Sequence, residues 1–210
     1  MMQSDSSWRY QAPEQAQRYG QRKQKRMQRE AALLCRILTG LSLEGSLLDV
    51  PCGTGRLAEA LAIPTEQYLG CDAALGMLGE ARGRGLKVVQ GRLPDLPFAD
   101  RSVPNVICFR LLHHVPTREQ ESFLYELARI TGRYLLVTGF HPFSAHEWQR
   151  RLRLALRRKP RGRFTTEPRW VAELLATQGL QQLRVQREGF FRDLWLGLYE
   201  RQQSRRRERP

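Results

Sequence analysis

Cysteine is scarce in this chain. Cys35, Cys52, Cys71 and Cys108 are the only four, they lie far apart, and no two form a C-x-x-C pair. That usage argues against a disulfide framework or a structural zinc site and is expected of reduced thiols in a cytosolic protein. Long apolar runs are missing too: no stretch approaches the roughly 20 apolar residues of a membrane-spanning helix. Residues 1–15, polar and carrying Asp5 and Glu14, lack the apolar centre of a signal peptide. No internal repeat is visible. Acids are the last shortage, with 21 Asp and Glu against 35 Lys and Arg and a formal charge of +14.

What is present suits one compact domain with modest extensions, since 41% of the 210 residues are hydrophobic. The positive charge is concentrated. Residues 18–29 hold six basic side chains and no acid, residues 150–163 hold eight and none, and residues 201–209 hold five against Glu208. These flanks outweigh the net charge of the whole chain, so the centre is mildly acidic. Their field suits an anionic partner: nucleic acid, acidic lipid or a phosphorylated metabolite. The expected organisation is a tail and basic lead-in helix over 1–40, the main domain over 41–200 with an arginine-rich segment at 146–163, and a basic tail over 201–210.

Periodicity predicts a lead-in helix over 21–38, with Met27, Ala31, Leu34 and Leu38 on one face and Gly40 as its stop. Strands are then expected at 47–50, 68–71, 87–90, 106–109 and 134–138, separated by helices at 56–62, 75–82 and 118–130. Strands this apolar, alternating with helices, belong to a parallel sheet covered on both faces. An arginine-rich helix at 146–158 follows. Another at 167–178 has Thr166 as its cap, Pro168 in the first turn and Gly179 as the stop. Strands at 183–186 and 194–199 are close enough to pair as an antiparallel hairpin, which completes an α/β fold with a mostly parallel seven-stranded sheet.

The chain is organised around Leu48-Asp49-Val50-Pro51-Cys52-Gly53-Thr54-Gly55-Arg56-Leu57. An apolar strand ends in an acid, a two-glycine turn follows, and a helix begins. Backbone can pass a ligand closely where no Cβ intervenes, and a helix amino terminus offers free N–H groups, so the arrangement suits a polar cofactor. The spacing differs from the G-x-G-x-x-G dinucleotide fingerprint, because position 58 is Ala. A second acid, Asp72, ends the next strand. It can accept both hydroxyls of a ribose lying across the carboxyl edge, or it can cap the following helix.

Residues 47–57 resemble the first motif of the class I S-adenosylmethionine-dependent methyltransferases, with the small bacterial type 11 group the closest fit. The resemblance continues through Tyr68-Leu69-Gly70-Cys71-Asp72 with Met77-Leu78, Leu96-Pro97-Phe98-Ala99-Asp100-Arg101-Ser102, and Cys108-Phe109-Arg110-Leu111-Leu112-His113-His114-Val115. It covers about residues 45–140 in order and spacing. It implies a three-layer Rossmann-like sandwich and S-adenosyl-L-methionine as cofactor. Asp49 and the turn Gly53-Thr54-Gly55 would pass beneath the methionine part, Asp72 would hold the ribose, and Ala73, Met77 and Leu93 would border the adenine. Arg110 would stand beside the cofactor, and Tyr19 with Arg22 resemble an aromatic-and-basic lid, although that stretch also reads as a solvated helix face.

Two departures stand out. Gly91-Arg92-Leu93 replaces the family's Gly-Asp-Ala, and Ser102-Val103-Pro104 replaces Ser-Phe-Asp, so two acids are gone. A missing hydrogen bond weakens a ligand by about 1 kcal/mol. Asp95 substitutes only if its loop shifts. Methyl transfer itself asks for an aligned nucleophile and, for hydroxyl acceptors, a base. His113 is the first candidate for base or acceptor contact and His114 the second; the alternative is that the pair orients its loop. Cys52 and Cys108 read as core thiols. Arg150, Arg151, Arg153 and Arg157 share a segment with Trp148 and suit an anionic or lipid-linked acceptor or an acidic membrane surface, or else an ordinary solvated face. The expected protein is a cytoplasmic methyltransferase, peripheral to the membrane if those arginines bind lipid. The alternatives are a non-catalytic docking protein that keeps the fold and an RNA-modifying enzyme; the Asn/Asp-Pro-Pro-Tyr/Phe loop of adenine amino methylation is absent after the fourth strand.

Overall fold

Each short aliphatic run is followed by a helix-forming stretch, and the chain folds into the βα units that this alternation dictates. The computed structural model describes residues 24–144, 147–149, 163–189 and 192–202. The elements are α1 (Gln24–Leu38), β1 (Leu47–Asp49), α2 (Arg56–Ala60), β2 (Tyr68–Asp72), α3 (Leu75–Gly83), β3 (Val88–Gln90) and β4 (Val103–Cys108). They continue with a 3-10 turn (Leu112–His114), α4 (Thr117–Ile130), β5 (Thr131–Phe140), α5 (Pro168–Thr177), β6 (Leu180–Arg187) and β7 (Leu194–Arg201). The sheet runs β3-β2-β1-β4-β5-β7-β6. Its first five strands are parallel, and β7 is antiparallel to both β5 and β6. The predicted seven-stranded sheet with its C-terminal antiparallel hairpin is therefore the observed one.

Alternate residues of the central strands feed two cores. Leu48, Val106, Leu135 and Val137 pack against Leu124 and Leu127 of α4 and Val171 and Leu175 of α5. Leu47, Ile107, Tyr134 and Leu136 face the other way, onto Leu33, Leu34 and Ile37 of α1 and Leu78 and Ala81 of α3. Three layers result, and the lead-in helix is part of the domain core. Its carboxyl end is tied down by Arg184 of β6, which donates to Ile37 O at 2.9 Å and Thr39 O at 2.6 Å, a cation where helix carbonyls are unpaired. Among the described residues no helix is long and apolar enough to cross a membrane.

Several boundaries differ from those the sequence predicts. β4 starts at Val103 and takes in Pro104, with a register shift between Val103 and Asn105. A strand tolerates proline at its first residues or at a bulge, where no ladder N–H is needed. β6 starts at Leu180 although Gln181, Gln182, Arg184 and Gln186 make it polar, because its ladder to β7 recruits an edge strand that has no apolar face of its own. Thr166 does not cap α5. Glu167 occupies the cap position without a side-chain bond, Pro168 opens the helix, and Gly179 ends it at φ 75°.

The chain winds outward from β1 through β2 to β3, then crosses to β4 on the other side of β1. The carboxyl ends of β1 and β4 thus flank a switch point, where open α/β sheets leave a crevice for ligands.

Candidate active site at the carboxyl edge of the sheet

Asp49 closes β1 and is 1% exposed. The Tyr68 hydroxyl, from the first residue of the adjacent β2, donates to its Oδ2 at 2.8 Å. Burial pushes the Asp49 carboxyl up to about 8; the Tyr68 hydrogen bond opposes the rise and the Asp72 charge adds to it. The turn after it is built on left-handed glycines, Gly53 at φ 55° and Gly55 at φ 75°. At Gly55 a Cβ would stand 2.2 Å from Leu86 Cδ1 and 3.4 Å from Ala81 Cβ, so glycine here lets the turn pack against the end of α3. At Gly53 a Cβ would meet nothing within 4 Å, which leaves open space over the turn. Between them the Thr54 hydroxyl is buried and makes no hydrogen bond among the described residues.

Asp72 ends β2 and binds the turn: its Oδ2 accepts from Gly53 N–H at 2.8 Å and its Oδ1 from Ala74 N–H at 2.9 Å. The capping alternative is half realised, since the second bond is a local Asx turn at the entrance to α3. Burial raises the Asp72 carboxyl, against the backbone donors. Beside it Met77 and Leu93 are buried and Ala73 half-buried, an apolar border next to the acid. Arg92 faces Asp95 across a tight turn closed by Asp95 N–H to Arg92 O at 2.8 Å, and Asp95 is exposed. Pro104 requires a correction. Its neighbour Asn105 pairs with Leu47, the first residue of β1, and Pro104 Cγ lies 3.1 Å from where a Gly45 Cβ would be. It sits at the amino edge, opposite the site, so the acid missing there is not missing from the crevice.

Arg110 follows β4 in a left-handed conformation, φ 60°, a strained backbone for a non-glycine residue. Its N–H donates to Thr138 Oγ1 at 2.7 Å, and its guanidinium is ion-paired with Glu30 of α1, which is buried. The His113 ring is 6% exposed, 3.9 Å between centroids from His114 and 4.5 Å from Phe140, while His114 is exposed. Asp49, Gly53, Thr54, Gly55, Asp72, Arg110, His113 and His114 all lie on the one edge. Tyr19, Arg22, Arg150, Arg151, Arg153 and Arg157 lie outside the described residues. A concavity of about 490 Å³ lined by Gly132, Arg133, Glu200, Arg201 and Gln202 lies at the amino end of β5, away from the described residues of the carboxyl edge.

Cys52, Cys71 and Cys108 are buried. Burial, then the charges of Asp72 and Asp49, push the Cys71 thiol up to about 12, and burial likewise raises Cys52 and Cys108. They are packed thiols and poor nucleophiles. Glu30 is the residue that sequence reading overlooks: it is the first acid after a basic run, four residues before Leu34 and so on the apolar stripe, which is the signal for a buried partner. Ser144 and Glu147, spaced as in a capping box, were a second unused signal. Glu147 N–H donates to Ser144 Oγ at 3.0 Å and Trp148 N–H to Ser144 O at 3.0 Å; the rest of the helix expected over 146–158, apart from 147–149, lies outside the described residues.

An uncompensated strand-end acid, open backbone over Gly53, a buried hydroxyl without a partner and an apolar border beside Asp72 fit a ligand with cationic and hydroxyl groups and one flat apolar part. A methyltransferase-domain family model matches residues 47–133. The fatty-acid O-methyltransferase of Mycolicibacterium smegmatis is 35% identical over 115 residues, which is 50% of this chain and 41% of that protein. The magnesium-protoporphyrin O-methyltransferase of Synechocystis is 32% identical over 104 residues, 46% of this chain and 45% of that one. The chain spans less than half the length of these curated relatives. The crystal structure of magnesium protoporphyrin IX methyltransferase from Synechocystis with bound SAH shares the fold, with a TM-score of 0.70 over 83% of each chain at 19% identity. Residues 47–133, with their strand–glycine turn–helix and the sheet order around it, match a methyltransferase-domain family, and the chain shares the fold of S-adenosylmethionine-dependent methyltransferases.

Proposed function

We propose that this protein transfers a methyl group from S-adenosylmethionine to a small-molecule or lipid-linked acceptor of anionic character. The observation that carries the reading is the convergence of the Asp49–Gly55 turn, Asp72 and the His113–His114 turn on the carboxyl edge at the β1/β4 switch point. In this reading the turn holds the methionine end, with Asp49 beneath it and the Thr54 hydroxyl taking a hydrogen bond it otherwise lacks. Asp72 holds the ribose, and Ala73, Met77 and Leu93 border the adenine. Arg110, braced by Glu30, lines the same edge, and Tyr19 and Arg22 cover it. The bound sulfonium supplies an electrophilic methyl. The chain's residues align the acceptor and remove its proton, with His113 as base or acceptor contact and His114 beside it.

The relatives' named acceptors, a fatty acid and magnesium protoporphyrin, are small molecules, which supports that class here. Phe143 and Trp148, 74% and 70% exposed, precede in sequence the stretch containing Arg150, Arg151, Arg153 and Arg157. Exposed aromatics beside clustered arginines suit an acidic lipid surface on the cytoplasmic side. A second reading, a docking protein that keeps the fold without catalysis, is favoured by Arg92 standing where the family carries an acid.

Titration calorimetry with S-adenosylmethionine separates the two readings. Heat of binding that disappears in D72A supports the enzyme, and none at millimolar ligand overturns it. Transfer of labelled methyl to fatty acids, porphyrin carboxylates and tRNA then ranks acceptors, and unchanged turnover in H113A removes His113 from the mechanism. Sedimentation with acidic liposomes at low salt should retain the protein; no retention excludes the lipid surface.

A further inference from the structure

Three carbonyl groups of the turn that carries His113 and His114 are held from one side. Phe164 N–H donates to His113 O at 2.9 Å. Gln120, 0% exposed in the first turn of α4, donates from Nε2 to Leu112 O and to Val115 O, both at 3.0 Å. Its Oε1 accepts the Thr166 hydroxyl at 2.9 Å. Thr166, buried in turn, donates its N–H to Phe140 O at the end of β5 at 2.8 Å, and its carbonyl accepts the Trp195 indole N–H at 2.8 Å. Both Nε2 protons and the amide oxygen of Gln120 are thus used.

A leucine or methionine would fill the space of Gln120 with no desolvation cost, so packing does not call for an amide at this place. What the amide supplies is direction. In a low-dielectric interior a fully satisfied network admits one arrangement, and any displaced member strands a buried polar group. Thr166 belongs to the limb, residues 163–167, by which the chain returns from the arginine-rich segment to α5. The two side chains therefore tie that limb to the histidine turn, and the Thr166 backbone ties it to the exit of β5.

We propose that Gln120 and Thr166 are positioning residues for the His113–His114 turn, through which the seating of the 163–167 limb sets the direction of the two imidazoles. The proposal rests on reading that turn as the acceptor side of a methyltransferase. Neither residue touches the crevice; they act through the carbonyls of Leu112 and Val115.

The test uses the full chain and three variants: T166V, which removes the hydroxyl at near-constant volume, T166S, which restores it, and Q120M. Amide exchange is followed by NMR at His114 and Val115, whose N–H groups bond to Leu111 O at 2.8 Å and Leu112 O at 3.1 Å within the turn, together with the His113 ring resonances. Loss of one such hydrogen bond should speed exchange at these two amides roughly tenfold in T166V and Q120M. The His113 ring signals should shift, and T166S should behave as wild type. Amides of Leu124 and Leu127 in α4, and the affinity for S-adenosylmethionine, should stay within about twofold, because local opening leaves the rest of the fold closed. Unchanged turn amides and ring signals in T166V overturn the proposal, and so does equal loosening of α4, which would make the network a general brace. If Q120M does not fold, T166V against T166S decides. A wild-type chain that binds no S-adenosylmethionine defeats the functional reading by itself and is distinguished from either result.

Discussion

Replacing Asp49 with asparagine should make the protein more stable at neutral pH, and by an amount that grows with pH. The carboxyl is buried beneath the glycine turn with the Tyr68 hydroxyl as its one hydrogen-bond donor among the described residues, and burial lifts it to about 8. In the unfolded chain it titrates near 4. Between those values the folded state holds a proton that the unfolded state has released, so the slope of unfolding free energy with pH is negative for this group. The penalty begins near pH 4, rises by about 1.4 kcal/mol per pH unit and levels off near pH 8. From pH 5 to pH 7 it grows by roughly 2.7 kcal/mol. Asparagine copies the neutral acid, keeps an oxygen for Tyr68 and carries no such penalty. D49N should match wild type near pH 4, exceed it by about 1.4 kcal/mol at pH 5 and by about 4 kcal/mol at pH 7, or about 8–16 °C in Tm for a domain of this size. Urea denaturation of both proteins at half-unit intervals from pH 5 to 8 measures the difference, in which other titrating groups largely cancel. Parallel curves would refute the reasoning, because they would mean that Asp49 is already ionised in the fold. A cationic ligand over the turn would favour that ionised form, so affinity for S-adenosylmethionine should rise from pH 6 to 8 in wild type and flatten in D49N.

The two glycines of the turn should separate fold from ligand. G55A drives a Cβ to 2.2 Å from Leu86 Cδ1 at a positive φ and should cost about 2–4 kcal/mol in the urea midpoint. G53A meets no protein atom and should cost only about 1 kcal/mol of backbone strain while filling the space over the turn, so its main effect should be in calorimetry with S-adenosylmethionine. D72N, which removes the charge from an acceptor of two backbone N–H bonds, should weaken that binding about tenfold, and D72A further. E30A breaks the buried Glu30–Arg110 ion pair and should lower stability by about 3–5 kcal/mol, whereas E30L with R110L should recover much of it; an E30A protein as stable as wild type would show that the pair is not desolvated.

The architecture was legible because parallel strands buried on both faces must be apolar throughout, and the helices between them must be amphipathic. Leu47-Leu48, Leu135-Leu136-Val137 and the stripe of α4 announce themselves by composition and period. β6 was legible only over 183–186; its start at Leu180 was not, because Gln181 and Gln182 carry no apolar signal and join the strand where β7 offers an unpaired edge. Thr166 before Pro168 reads as a helix cap, yet its hydroxyl is drawn to Gln120, 46 residues away in sequence.

For the site the division is similar. Asp49, Gly53, Gly55 and Asp72 could be read along the chain because each answers a local demand: an acid at a strand end, positive φ in a turn, a second acid one βα unit on. Family resemblance added the cofactor and the roles. Pro104 misled for the complementary reason, since a motif position carries no information about which edge of the sheet it occupies, and the pairing of Asn105 with Leu47 puts it on the far one. Glu30 with Arg110, Tyr68 with Asp49, and Gln120 with Thr166 are partnerships between residues from 19 to 80 apart in sequence. Local propensity is written in neighbours along the chain. Which buried polar group meets which, and hence how the histidine turn is held and how strongly Asp49 keeps its proton, depends on packing that brings distant segments into one low-dielectric space.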